Sequence, residues 1–151
     1  MHRRKFRGLV DAQAVKAAIQ EAERATTGEI RVSVATFFWG SVRKAAERAF
    51  DRLGMARTAH RNGVLIFVVP SRKKFVVLGD SGIHEKVGQE FWEGVAAAMS
   101  ERFRKGDFTG GLVHGVEEAG RQLALHFPAE GLPNPDELPD DVDFGPGGDG
   151  A

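Results

Sequence analysis

The chain has 151 residues, no cysteine, and 21 basic against 21 acidic side chains. That length, with 42% hydrophobic residues, suffices for one domain with its own core, and the lack of thiols excludes disulfides, thiolate-bound zinc and cysteine nucleophiles. The balanced charge conceals two charged ends: Arg3, Arg4, Lys5 and Arg7 near the start, and seven carboxylates with no Lys or Arg in residues 128–151.

Between those ends the small positive excess gives no reason to expect a nucleic-acid partner. No apolar run approaches the length of a membrane span, and the basic start lacks the apolar segment of a secretory signal, so a cytoplasmic location is expected.

Asp11 is a candidate N-cap for a first helix in which Val15, Ala18, Ile19 and Ala22 recur at helical spacing, with Gly28 placed to end it. Residues 29–39 alternate Ile30, Val32 and Val34 with polar or small neighbours, then turn apolar at Phe37-Phe38-Trp39, which predicts the first strand. One of those three large side chains would be left exposed unless a helix covers it, as a contact for a protein partner. Ser41 caps a second helix burying Val42, Ala45, Ala46, Ala49, Phe50 and Leu53, and Gly54 closes it.

The run from Gly63 to Val69 is continuously apolar, the pattern of a strand covered on both faces. A short turn over residues 70–74 leads to a third strand over residues 75–78. Val87, Phe91, Trp92, Val95, Ala98, Met99 and Phe103 trace a third helix, and Asp107 caps a fourth burying Leu112, Val113, Val116, Ala119, Leu123 and Phe127. The predicted order is αβαββαα. Five of the six prolines fall in residues 128–151, so the acidic segment 129–151 is expected to lack structure, with 1–8 a basic arm and 9–128 the folded domain.

A helix between the first two strands predicts a right-handed parallel crossover, and the hairpin makes the third strand antiparallel. One sheet end then gathers Glu29, Arg61, Asn62, Asp80 and His84. Oxygen ligands from several elements at one edge suit a hard divalent cation, Ca²⁺ or Mg²⁺, and Arg61 suits an anionic substrate group. Each residue has a plainer role as well. Asp80 closes an Asx turn or binds metal, Asn62-Gly63 is a turn dipeptide whose asparagine serves its own backbone or joins the ligands, and Asp107 is a cap, an added carboxylate, or both. His84-Glu85 opens like a zincin helix, but Gly88 stands where a second histidine is required. Phosphate-binding glycine loops and nucleophile elbows are missing from the sequence.

Four motifs in register, Thr27-Gly28-Glu29-Ile30-Arg31-Val32, Arg61-Asn62-Gly63-Val64-Leu65, Gly79-Asp80-Ser81-Gly82-Ile83-His84 and Phe103-Arg104-Lys105-Gly106-Asp107-Phe108-Thr109-Gly110-Gly111-Leu112, resemble the TPM domain family. The resemblance implies a three-layer α/β/α sandwich with a small mixed, Rossmann-like sheet and a divalent metal site at its loops. For some members it also implies phosphomonoesterase activity; other members look like non-catalytic accessory modules. An enzyme of this kind would bind metal through Asp80 with Glu29, Asn62 or Asp107. Arg61 would neutralise a phosphate ester, from a small molecule or a phosphoprotein, and His84 would protonate the leaving alcohol.

Overall fold

A computed structural model describes residues 10–35, 38–129 and 139–145. Phe37, the basic arm over 1–8 and the rest of the acidic segment lie outside the described residues. Five α-helices are described, α1 (Ala12–Glu23), α2 (Val42–Arg52), α3 (Ser81–Val87), α4 (Gln89–Arg104) and α5 (Phe108–His126), with three strands, β1 (Glu29–Val34), β2 (Gly63–Val69) and β3 (Lys74–Gly79). The expected order is present, with the short α3 added ahead of the long α4.

The sheet order is β1-β2-β3, parallel between β1 and β2 and antiparallel between β2 and β3. All seven residues of β2 are buried because its two faces meet different helices. Val64, Ile66 and Val68 join Ile30, Val32 and Val34 under α1, α4 and α5, whereas Leu65, Phe67 and Val69 pack beneath the Val42, Ala45, Ala46 and Ala49 face of α2. This is a three-layer α/β/α arrangement, and its period-two and period-3.6 patterns are the ones written in the sequence.

Three local boundaries differ from expectation. Helix α1 stops at Glu23 rather than near Gly28, because Thr26 turns inward and its hydroxyl donates to the Leu123 and Phe127 carbonyls of α5. Strand β1 ends at Val34, five residues short of Trp39, which is 86% exposed. Strand β3 is one residue longer at each end than expected.

The largest departure concerns the acidic segment. Residues 139–145 run beside β1, where the Asp143 N–H donates to the Val32 carbonyl (2.9 Å) and the Val34 N–H donates to the Asp143 carbonyl (2.7 Å). Val142 and Phe144 enter the main core, while Asp143 turns to the other face and receives Arg52 Nη2 (2.7 Å) and the Ser33 hydroxyl (2.8 Å). Burial by itself would raise the Asp143 carboxyl, but these hydrogen bonds and the Arg52 charge outweigh it and hold the group below the usual carboxylate range. Lys16 pairs with Asp141 at 2.9 Å and adds a further anchor. Proline and charge content therefore misjudged these seven residues: two apolar side chains and a set of paired carboxylates offset their ordering.

Phe144→Ala removes a ring that is 7% exposed. A loss of about 3 kcal/mol in urea unfolding is expected. Asp143 contributes stability above its unfolded pKa that is lost as pH falls through its depressed folded value, so the stability of the unsubstituted protein should itself fall in strong acid.

Candidate cation centre and the Arg61–Asp80 pair

The register Glu29↔Gly63 and Val64↔Gly79 brings the start of β1, the start of β2 and the end of β3 to one end of the sheet. Glu29, Arg61, Asn62, Asp80 and His84 all lie there, as the topology required. Asp107 does not. It caps α5 by accepting from the Gly110 N–H (2.8 Å), and Phe108 beside it stacks through Phe103 to Phe75 at the start of β3. The 19 residues of α5 extend about 28 Å, and only the far end of this helix reaches the Thr27 loop, so the helix spacing removes Asp107 from the centre.

Asp80 is 6% exposed and heavily committed. Arg61 grips it with both arms, Nε to Oδ2 at 2.6 Å and Nη2 to Oδ1 at 2.8 Å, and the Ser81 N–H adds a bond of 2.8 Å that caps α3. This bidentate geometry raises the already high Arg61 pKa through the hydrogen bonds and charge of Asp80. Arg61 itself holds φ of 52°, a left-handed conformation fixed where its carbonyl accepts from the Gly82 N–H at 2.7 Å. A side chain at Gly82 would strike the His60 and Arg61 carbonyls, so the Asp80-Ser81-Gly82 sequence is what lets α3 start against this turn. Arg61 is half-exposed, and its Nη1 makes no hydrogen bond among the described residues.

His84 is exposed, and its Nδ1 accepts from the Trp92 indole N–H at 3.0 Å. An indole only donates, so Nδ1 is the acceptor in this bond and Nε2 is the nitrogen that offers an N–H. In this arrangement His84 offers a hydrogen bond through Nε2; protonating Nδ1 would break the link to Trp92. A Cβ at Gly79 would collide with that same Trp92 ring. Gly79→Ala should therefore displace the indole and with it the imidazole, seen as a red-shifted tryptophan emission and a changed His84 nitrogen spectrum.

Among the described residues, Glu23, Glu29 and Asp140 bring carboxylate oxygens within 4.8 Å of one another. Glu23 and Glu29 are 4% and 0% exposed. Glu23 accepts from the Ile30 N–H (2.8 Å), and Asp140 arrives on the acidic segment. Burial first, then the hydrogen bond with Asp140 and the nearby charges of Glu29 and Asp140, push the Glu23 carboxyl up to about 10 against the lowering effect of the Ile30 N–H. The Oδ1 atoms of Asp140 and Asn62 are buried and accept no hydrogen bond among the described residues. The Asn62 amide donates to the Thr27 hydroxyl (3.3 Å) and its N–H to the Thr58 hydroxyl (3.2 Å), so the asparagine serves its turn. An all-oxygen set of carboxylates, two of them buried, fits a hard dication.

Of this cluster the sequence reading named Glu29, and neither Glu23 nor Asp140. The signal for Glu23 was present: it continues the inward stripe Val15, Ile19 at intervals of four, where an acid has no ordinary reason to be.

The sequence model of the TPM domain matches residues 9–122. The chain belongs to the TPM domain family. Among solved structures it is similar to the BA42 protein of the psychrophilic bacterium Bizionia argentinensis, at 40% identity and a TM-score of 0.82, covering 89% of this chain and 92% of that one. Two further likenesses show the fold alone. The N-terminal domain of the cg2496 protein of Corynebacterium glutamicum matches at 15% identity and TM-score 0.58, covering 74% of this chain and 70% of that chain. The N-terminal domain of a P. gingivalis protein matches at 16% and 0.60, covering 71% and 69%. No curated protein matches the chain. Among the described residues, no helix is long and apolar enough to cross a membrane.

A carboxyl that needs a proton when folded, but loses it near 4.5 when unfolded, stabilises the fold below pH 4.5 and gives that contribution up as pH rises towards 10. Glu23→Gln keeps an acceptor for the Ile30 N–H and a donor for Asp140. Without added metal at pH 8 it should raise stability by roughly 1–3 kcal/mol in urea unfolding, with little gain at pH 4.

Proposed function

We propose that this TPM domain binds a divalent cation, Ca²⁺ or Mg²⁺, through Glu23, Glu29 and Asp140, and that the Arg61 and His84 side chains beside this end of the sheet serve the hydrolysis of phosphate monoesters. The observation that carries the reading is the convergence of three carboxylates, two of them buried, at one point. A bound cation would neutralise charge on a phosphoryl oxygen. Arg61, held in orientation by Asp80, places its remaining N–H groups for the other phosphoryl oxygens. His84 offers its Nε2–H as a hydrogen bond to the ester or leaving-group oxygen without giving up the proton, with Trp92 holding the ring, and the leaving alkoxide takes its proton from water. Asp80 acts in this scheme as a positioning residue, because its lone pairs are engaged by Arg61 and Ser81.

A second reading keeps the cation and drops the catalysis: a metal-stabilised interaction module for a protein partner. Exposed Trp39 favours it.

Calorimetric titration of chelator-stripped protein with Ca²⁺ and Mg²⁺ tests the shared premise. Saturable binding is expected, weakened about tenfold or more in Glu23→Gln and Glu29→Gln, and strengthening with pH by up to about tenfold per unit as the Glu23 proton is displaced. Absence of binding by either ion would end both readings. Hydrolysis of 4-nitrophenyl phosphate by the loaded protein then separates them: turnover lost in Arg61→Ala and reduced in Asp80→Asn supports the enzyme, and equal rates in all three would assign the activity to a contaminant.

A further inference from the structure

The end of the sheet opposite the carboxylates contains a pocket of about 570 Å³, a size typical of small-molecule sites. Its wall is aromatic. Phe75 meets Phe103 edge-on with centroids 5.1 Å apart, and Phe103 stacks on Phe108 at 5.2 Å. All three rings are only half-buried although they pack on the main core, so folding leaves apolar surface facing the pocket. Val68 and Val69, at the end of β2, complete the apolar lining.

Three exposed cations line the same space: Arg104, which pairs with Glu101, and Lys73 and Lys74, where the turn enters β3. Neither lysine has a carboxylate within ion-pair distance among the described residues. The acids nearby are already engaged: Asp107 caps α5, and Glu101 pairs with Arg104 at 2.6 Å. Lys73 also holds φ of 52°, a conformation that glycine would adopt more readily, so this position carries a charged side chain at some backbone cost.

We propose that this pocket binds a small aromatic anion, its ring lodged among Phe75, Phe103 and Phe108 and its carboxylate met by Lys73 and Lys74. Aromatic edges and faces supply ring contacts, and the paired ammonium groups select the charge. The site is independent of the cation centre, which lies at the other end of the strands.

The test is a titration of the full chain with 2-naphthoate, followed by backbone amide shifts, beside the uncharged 2-naphthylmethanol. Saturable shifts confined to the amides around Ser100, Gly106 and Phe108 are expected. The Lys73→Ala, Lys74→Ala double variant and the uncharged analogue should each bind about fivefold or more weakly. Ser100→Phe, which fills the pocket, should abolish the shifts while the rest of the spectrum stays native. Equal affinity for the uncharged analogue, undiminished binding by the lysine double variant, or no saturable shift at these amides would overturn the proposal.

Discussion

The outward edge of β1 is the constraint on which the rest of the molecule turns. A three-stranded sheet must leave two edges, and on this one the Ile30 N–H, the Val32 carbonyl and the Val34 N–H face away from β2 with no strand to meet them. The chain satisfies all three without a fourth full strand. Glu23 reaches over from the end of α1 to accept from Ile30, and Asp143 supplies the N–H and carbonyl for Val32 and Val34. Because buried backbone groups must be paired, both devices have to sit deep, and depth puts carboxylates where water does not solvate them. Of the acidic centre, Glu23 is the member that closes the sheet edge, and the proton it holds is one way to bear the charge there. A dication is the other way.

This arrangement divides the protein into two chemically different ends. At one, Glu23, Glu29, Asp140 and Asp80 collect, with the Arg61 guanidinium locked to Asp80 and the buried Arg31 guanidinium donating to the Asp141 carbonyl. At the other, Lys73 and Lys74 stand over half-buried phenylalanines. The neutral total charge of the sequence reports neither environment, since it averages ends separated by the full length of the strands.

Most of the fold was legible because its local rules agree. Asp11, Ser41 and Asp107 each cap the helix they precede, and the unbroken apolar run of β2 could only be a strand covered on both sides. The placement of Arg61 at the start of β2 and Asp80 at the end of β3 followed from topology. Their mutual engagement did not, because hydrogen-bond partners within one sheet end depend on side-chain reach that no periodicity encodes. The acidic segment failed for a different reason: composition was averaged over 23 residues, masking the alternation Asp141-Val142-Asp143-Phe144, whose period of two is a strand signature. Asp140 was lost with it, and a ligand set assembled from the domain alone drew in the remote Asp107.

The segment that runs beside β1 has a consequence for how copies of this protein tolerate one another. An uncovered edge strand is a template on which any extended chain can add itself, and β1 is rich in the β-branched residues that favour such addition. By lying along that edge, residues 139–145 occupy the place a second molecule would take. Detaching that segment would expose the β1 edge, with its unpaired Val32 carbonyl and Val34 N–H, to any extended chain nearby.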